Sequence, residues 1–251
     1  MLIYIEGNIG TGKSTFVRLL NTYIAQLRNS SFNAALSQEP VDEWLETRDS
    51  DGQNILEKFY EDQTRWSFTF QMNSFISRAH KIQTERTKLE QDSLELFDSK
   101  ITTDKNTEQA FSKPLEPLLL AERSIYTDRH CFAVNCHESG KMTKMEYDIY
   151  CRWNDWLSKE FNLRPDGYIY LRCDPEVNTQ RITKRSREGE CGIPIEYLQK
   201  LHEHHDSWMD KEKASNVPVL IIDVTEDFTS TEKMDAIFKS VAEFVGGISK
   251  D

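Results

Sequence analysis

Gly7-Asn8-Ile9-Gly10-Thr11-Gly12-Lys13-Ser14-Thr15 decides how the rest of this chain is read. A short apolar run, Leu2-Ile3-Tyr4-Ile5, precedes it, and a helical pattern carrying Phe16, Val17, Leu19, Leu20 and Tyr23 follows. In that strand–loop–helix setting, GxxxxGK[ST] becomes a physical statement. Glycines let backbone N–H groups turn inward around a phosphate, and the helix N-terminus adds partial positive charge. Lys13 then reaches the outer phosphates, and the Ser14 hydroxyl is placed for a magnesium ion. A glycine-rich turn before an ordinary helix is the plainer alternative, but it requires neither the full spacing nor both flanking elements. Residues 7–15 therefore predict a nucleoside triphosphate site.

A chain of 251 residues suffices for a sizeable core and suits one α/β domain spanning 1–251. No stretch approaches the roughly twenty apolar residues of a membrane span. The first strand begins at residue 2, leaving no room for a leader ahead of it, so the expected location is the cytoplasm. Cys131, Cys136, Cys151, Cys173 and Cys191 form no CxxC pair and leave an odd one over. Reduced, separately packed thiols fit that pattern better than a disulfide frame or a zinc site. A net charge of −11 argues against a general nucleic-acid binder, which needs a basic face to displace counterions. A small phosphate-bearing partner fits better.

Ala34 to Gln38 reads as a second strand ending at Glu39-Pro40. Open α/β sheets bind ligands at strand carboxyl ends, so Glu39 is placed to take a proton from a substrate hydroxyl. A solvated charge at a loop entrance is an equal alternative. Trp44 is either core or pocket wall. Residues 53–91 read as helical with a joint near Asp62; Leu56, Phe59 and Tyr60 share one region, and Trp66, Phe70, Asn73 and Ser77 recur at helical spacings that more often mark core than a ligand cage. Gln71 and Arg78 share a face. The Gln71 amide offers the donor and acceptor that reading a nucleobase edge requires, yet periodicity alone leaves both residues to solvent.

Residues 98–113 lack apolar periodicity and read as a surface insertion. A third strand, Leu115 to Leu120, delivers Glu122-Arg123-Ser124. A magnesium carboxylate beside a phosphate-facing arginine fits Glu122 and Arg123; a structural ion pair is the alternative. Asp128 and Phe132, four apart on the next helix, can face one pocket. The helix from Thr143 to Phe161 carries Tyr147, Tyr150, Trp153 and Trp156, more bulk than one core stripe needs. That excess suits a subunit interface or burial within the chain. After a fourth strand, Tyr168 to Leu171, a helix brings Arg181 and Arg185 one turn apart, and Arg187 follows. Residues 185–192 then read as an arginine-bearing lid over phosphates, against a solvated charge run. Pro218 to Val224 closes the strand series.

These segments resemble the deoxyribonucleoside kinases, the group of deoxycytidine, deoxyguanosine and insect-type nucleoside kinases. The resemblance rests on 7–15, Glu39-Pro40-Val41, Arg65 to Gln71, Glu122 to Tyr126, Gly192-Ile193-Pro194, Glu196-Tyr197-Leu198 and Asp223 to Phe228, in one order. It covers most of the chain outside the insertion. It implies an α/β P-loop kinase fold, a parallel five-stranded sheet flanked by helices with an arginine-bearing lid. It also implies transfer of the γ-phosphoryl of ATP to the 5′-hydroxyl of a deoxynucleoside, with Mg2+, in a homodimer.

By position, the resemblance makes Glu39 the base, helped by Arg123, with Lys13 on the phosphates and Ser14 and Glu122 holding magnesium. Tyr60 and Glu190 would bond the 3′-hydroxyl. Gln71 would read the base edge and Phe132 stack on it, with Trp44, Leu56 and Phe70 closing the pocket. Arg181, Arg185 and Arg187 would form the lid, and Asp227 and Phe228 would lie beside the donor's base. Asp128 with Arg78 can accept from an exocyclic amine and fills space a thymine methyl would need, which favours purines or deoxycytidine over thymidine. Cys191 departs from the glutamine of related lids. A thymidylate-kinase type of enzyme is the nearest alternative. A P-loop GTPase would need an Asn-Lys-x-Asp stretch, and the sequence has none.

Overall fold

β1 (Leu2–Glu6) is buried at every position, as a central parallel strand covered on both faces must be. The computed structural model describes residues 1–28, 32–103, 115–187 and 192–248. After β1 come α1 (Lys13–Leu20), α2 (Ile24–Arg28), β2 (Phe32–Ser37), α3 (Val41–Glu46), α4 (Ile55–Glu61) and α5 (Gln63–Thr103). β3 (Glu116–Glu122), α6 (Ile125–Thr127), a π-helical segment (Asp128–Ala133), α7 (Val134–Glu138) and α8 (Lys144–Glu160) follow. The chain continues through β4 (Gly167–Arg172), α9 (Pro175–Arg185), α10 (Ile195–Ala214), β5 (Val219–Asp223) and α11 (Thr231–Ile248).

The strands form one parallel sheet in the order β2-β3-β1-β4-β5. Side chains alternate across it, as the two-residue strand period requires. Leu2, Tyr4, Leu119, Tyr168 and Tyr170 pack on one face with Phe75 of α5 and Tyr150 of α8. Ile3, Ile5, Leu118, Leu120 and Ile169 pack on the other with Phe16 of α1 and Val241 of α11. Because all the strands run one way, the P-loop, Glu39 and the Glu122-Arg123 turn emerge at the same carboxyl edge.

The joint expected near Asp62 is real: Asp62 caps α4, whose start is fixed by an Asn54–Glu57 capping box. A second such box, Thr143 with Glu146, starts α8. The insertion placed at 98–113 falls only in part within the described residues. α5 continues through Thr103, and 104–114 lie outside the described residues. Extending a helix already formed avoids the nucleation cost, so polar residues can follow it without an apolar stripe of their own. Among the described residues, no helix is long and apolar enough to cross a membrane.

Candidate active site

The loop between β1 and α1 depends on its glycines. Gly10 and Gly12 have φ of 78° and 98°, a region that costs other residues strain. A Cβ on Gly10 would meet the Asn178 carbonyl oxygen at 2.6 Å. Lys13 is buried, its Nζ donating to the carbonyls of Gly7 (3.0 Å) and Asn8 (2.7 Å). Burial, and then the charge of Arg123, lower its pKa to about 7. Gly7, Asn8 and Thr11 shape the loop from behind. Asn8 Nδ2 donates to Leu198 O (2.8 Å), its Oδ1 accepts from Ile9 N, and Thr11 Oγ1 donates to Asn8 O. Ser14 opens outward, and its Oγ donates to Glu122 Oε1 at 2.7 Å.

Glu39 sits just past the end of β2 between two arginines. Arg78 Nη2 lies 2.9 Å from its Oε1, and Arg123 Nε lies 3.2 Å away. Burial pushes the Glu39 pKa up, but Arg123, Arg78 and Lys13 outweigh it and hold the carboxyl well below the usual carboxylate range. Arg78 spans to Asp128, with Nε 2.8 Å from Oδ2 and Nη2 3.1 Å from Oδ1. One guanidinium therefore ties the Asp128 carboxylate to that of Glu39. Periodicity left Gln71 and Arg78 to solvent, but they are 1% and 2% exposed. The charges facing Arg78 come from other elements, which a pattern within α5 does not contain.

A cavity of about 540 Å³ runs from Gly12 and Lys13 past Glu39 to Gln71. At its far end Phe70 stacks on Phe59 (centroids 4.7 Å apart) and meets Trp44 edge-on, while Trp44 Nε1 donates to Ser77 Oγ. Leu56 and Tyr60 of α4 also face the cavity. The Arg123 guanidinium lies 4.8 Å above the Phe132 ring. Asp128 and Phe132 both line the cavity, although their segment is π-helical rather than α-helical. Gln71 Oε1, Arg78 Nη1 and Arg123 Nη1 are buried with no hydrogen-bond partner among the described residues.

At the other end, Ile9, Thr15, Arg181, Arg185, Arg187, Asp227 and Phe228 border the cavity. Arg181 is more clasp than free lid. Its guanidinium donates to Thr11 O (3.1 Å) and to the carbonyls of Thr225 and Glu226 (both 3.3 Å). Phe228 packs against Phe16, with centroids 6.2 Å apart. Glu190 and Cys191 lie outside the described residues. Sequence reasoning missed Ser74, Lys184 and Tyr197, which also line the cavity. Ser74 Oγ donates to Asp128 Oδ1 (3.1 Å). Its place three after Gln71 and four before Arg78 was the available signal.

A P-loop, a hydrogen-bonded Ser14–Glu122 pair and an arginine-flanked carboxylate around one cleft are the parts of a P-loop phosphotransferase. Comparison with known proteins narrows this. Residues 3–246 match the deoxynucleoside kinase family. Mouse deoxycytidine kinase is 37% identical, with 97% of this chain and 90% of that protein covered. Human deoxycytidine kinase is 35% identical over the same shares. The mitochondrial deoxyguanosine kinase of Xenopus laevis is 33% identical over 97% of this chain and 89% of its own. The chain belongs to the deoxynucleoside kinase family, as an ATP-dependent nucleoside kinase. Nothing favours the thymidylate-kinase alternative.

Proposed function

We propose that this kinase phosphorylates the 5′-hydroxyl of purine deoxynucleosides or deoxycytidine in preference to thymidine, for nucleotide salvage. The observation carrying the reading is Glu39, held ionised between Arg78 and Arg123 midway between the P-loop and the Gln71–Asp128 wall. Gln71 meets the base edge with its unpartnered Oε1, Phe132 stacks on the base, and Trp44, Leu56 and Phe70 close the pocket. Asp128, its carboxylate oriented by Arg78, accepts from an exocyclic amine, which thymine does not have. Tyr60, with Glu190, bonds the 3′-hydroxyl.

Glu39 takes the 5′-hydroxyl proton as the oxygen bonds to the γ-phosphorus and the bond to the β,γ-bridging oxygen breaks, ADP leaving with that oxygen, and Arg123 steadies Glu39 and the attacking oxygen. The P-loop amides and Lys13 hold the donor phosphates, with Arg185 and Arg187 closing over them within a lid at 185–192 and Arg181 anchoring its helix. Asp227 and Phe228 border the donor's base. Ser14 Oγ and Glu122 Oε1 are adjacent hard oxygens, which fits Mg2+, a cation that takes few protein ligands and completes its shell with phosphate and water. When bound, the ion neutralises charge on the transferring group. The chain 1–251 acts as one domain in a cytoplasmic homodimer, with nucleoside and nucleotide as partners rather than nucleic acid or membrane.

The test is phosphoryl transfer from ATP with magnesium to deoxyadenosine, deoxyguanosine, deoxycytidine, thymidine and thymidylate in parallel. Higher kcat/KM for the amine-bearing nucleosides is expected. Preference for thymidine would sink the role of Asp128 and Arg78.

A further inference from the structure

Arg123 holds a left-handed φ of 65°, unusual for a side chain of its size and unfavourable unless its surroundings enforce it. On one side, its backbone N–H donates to Ile5 O of β1 at 2.9 Å. On the other, Ser124 caps α6 by accepting from Thr127 N. Both hydroxyls of this turn converge on one carboxylate. Ser124 Oγ donates to Glu6 Oε1 at 2.5 Å and Thr127 Oγ1 donates to Glu6 Oε2. Glu6 is the last residue of β1, fully buried, and leads directly into the P-loop. A buried carboxylate is costly unless hydrogen-bonded, and here both oxygens are.

We infer that Glu6 is a positioning residue for phosphoryl transfer, its two hydrogen bonds to Ser124 and Thr127 locking the strained turn that aims Arg123 at Glu39. Glu6 does not touch the cleft. It acts through Arg123 and ties that turn to the strand carrying the P-loop. This rests on the role proposed above for Arg123.

The test is a double-mutant cycle on kcat at saturating nucleoside and ATP, run well below each variant's melting temperature. Glu6→Ala is expected to lower kcat tenfold or more with little change in the KM for ATP. In the Arg123→Ala background it should cost nothing further. Glu6→Gln, which keeps an acceptor for Ser124 and can donate to Thr127, should recover kcat to within about threefold of wild type. Thr127→Val, removing one of the two bonds, should give an intermediate loss and replaces Glu6→Ala in the cycle if that variant does not fold. Multiplicative losses, or Glu6→Gln as slow as Glu6→Ala, would overturn the inference. If Arg123→Ala is slow while Glu6→Ala and Thr127→Val match wild type, the inference fails and the role of Arg123 stands. If Arg123→Ala itself is not slow, both fail.

Discussion

Lys13, proposed above to hold the donor phosphates, is buried, and the charges of Glu39, Glu122 and Glu6 favour its ammonium without offsetting that burial. Its buried ammonium leans on two carbonyls, and burial together with Arg123 lowers its pKa to about 7. A bound phosphate favours the charged form and raises that pKa, so ATP binding takes up a proton wherever pH exceeds the free value. At pH 8, calorimetry in buffers of different ionisation enthalpy should show uptake of most of a proton per ATP, and affinity should weaken as pH rises above 7. Lys13→Arg should abolish the uptake. Glu39 behaves oppositely. Three cations outweigh its burial, so it stays ionised across the working pH range, the form its proposed role as base requires.

At the scale of elements, the P-loop is fixed by close approach as much as by conformation. Gly10→Ala would set a methyl against the Asn178 carbonyl at a left-handed φ. With about 1–2 kcal/mol of backbone strain alone, ATP affinity should fall tenfold or more by equilibrium binding. The elements themselves were largely legible. Asn54 and Thr143 announce their helices through capping boxes, and apolar runs mark the five strands. Glu39 and Glu122-Arg123 were legible because strand ends carry ligands in parallel sheets. The far end of α5 was not, since residues 98–103 show no apolar period. Nor was the burial of Gln71, or of Arg78, whose partners Asp128 and Glu39 arrive from other elements. Ser74 went unnoticed because a serine amid a helix has no chemistry until Asp128 faces it.

For the whole molecule, part of the aromatic excess of α8 remains on the surface. Tyr150 is buried, whereas Met145, Trp153 and Trp156 are 74%, 47% and 51% exposed along one stripe, with Ile76 of α5 also exposed. Apolar surface of this kind suits a second copy of the chain. Sedimentation should give the mass of two chains, falling to one for Trp153→Lys with Trp156→Lys. A single-chain mass in the wild type would contradict the dimer. The proposed chemistry depends on Glu39, and the most direct measurement is release of labelled 5′-monophosphate from deoxycytidine and γ-labelled ATP by wild type and Glu39→Gln. Steady turnover by wild type is predicted, with kcat for Glu39→Gln lower by about 10²–10⁴-fold at a similar nucleoside KM. Unimpaired turnover by Glu39→Gln, or a wild type that phosphorylates thymidylate and no nucleoside, would contradict it.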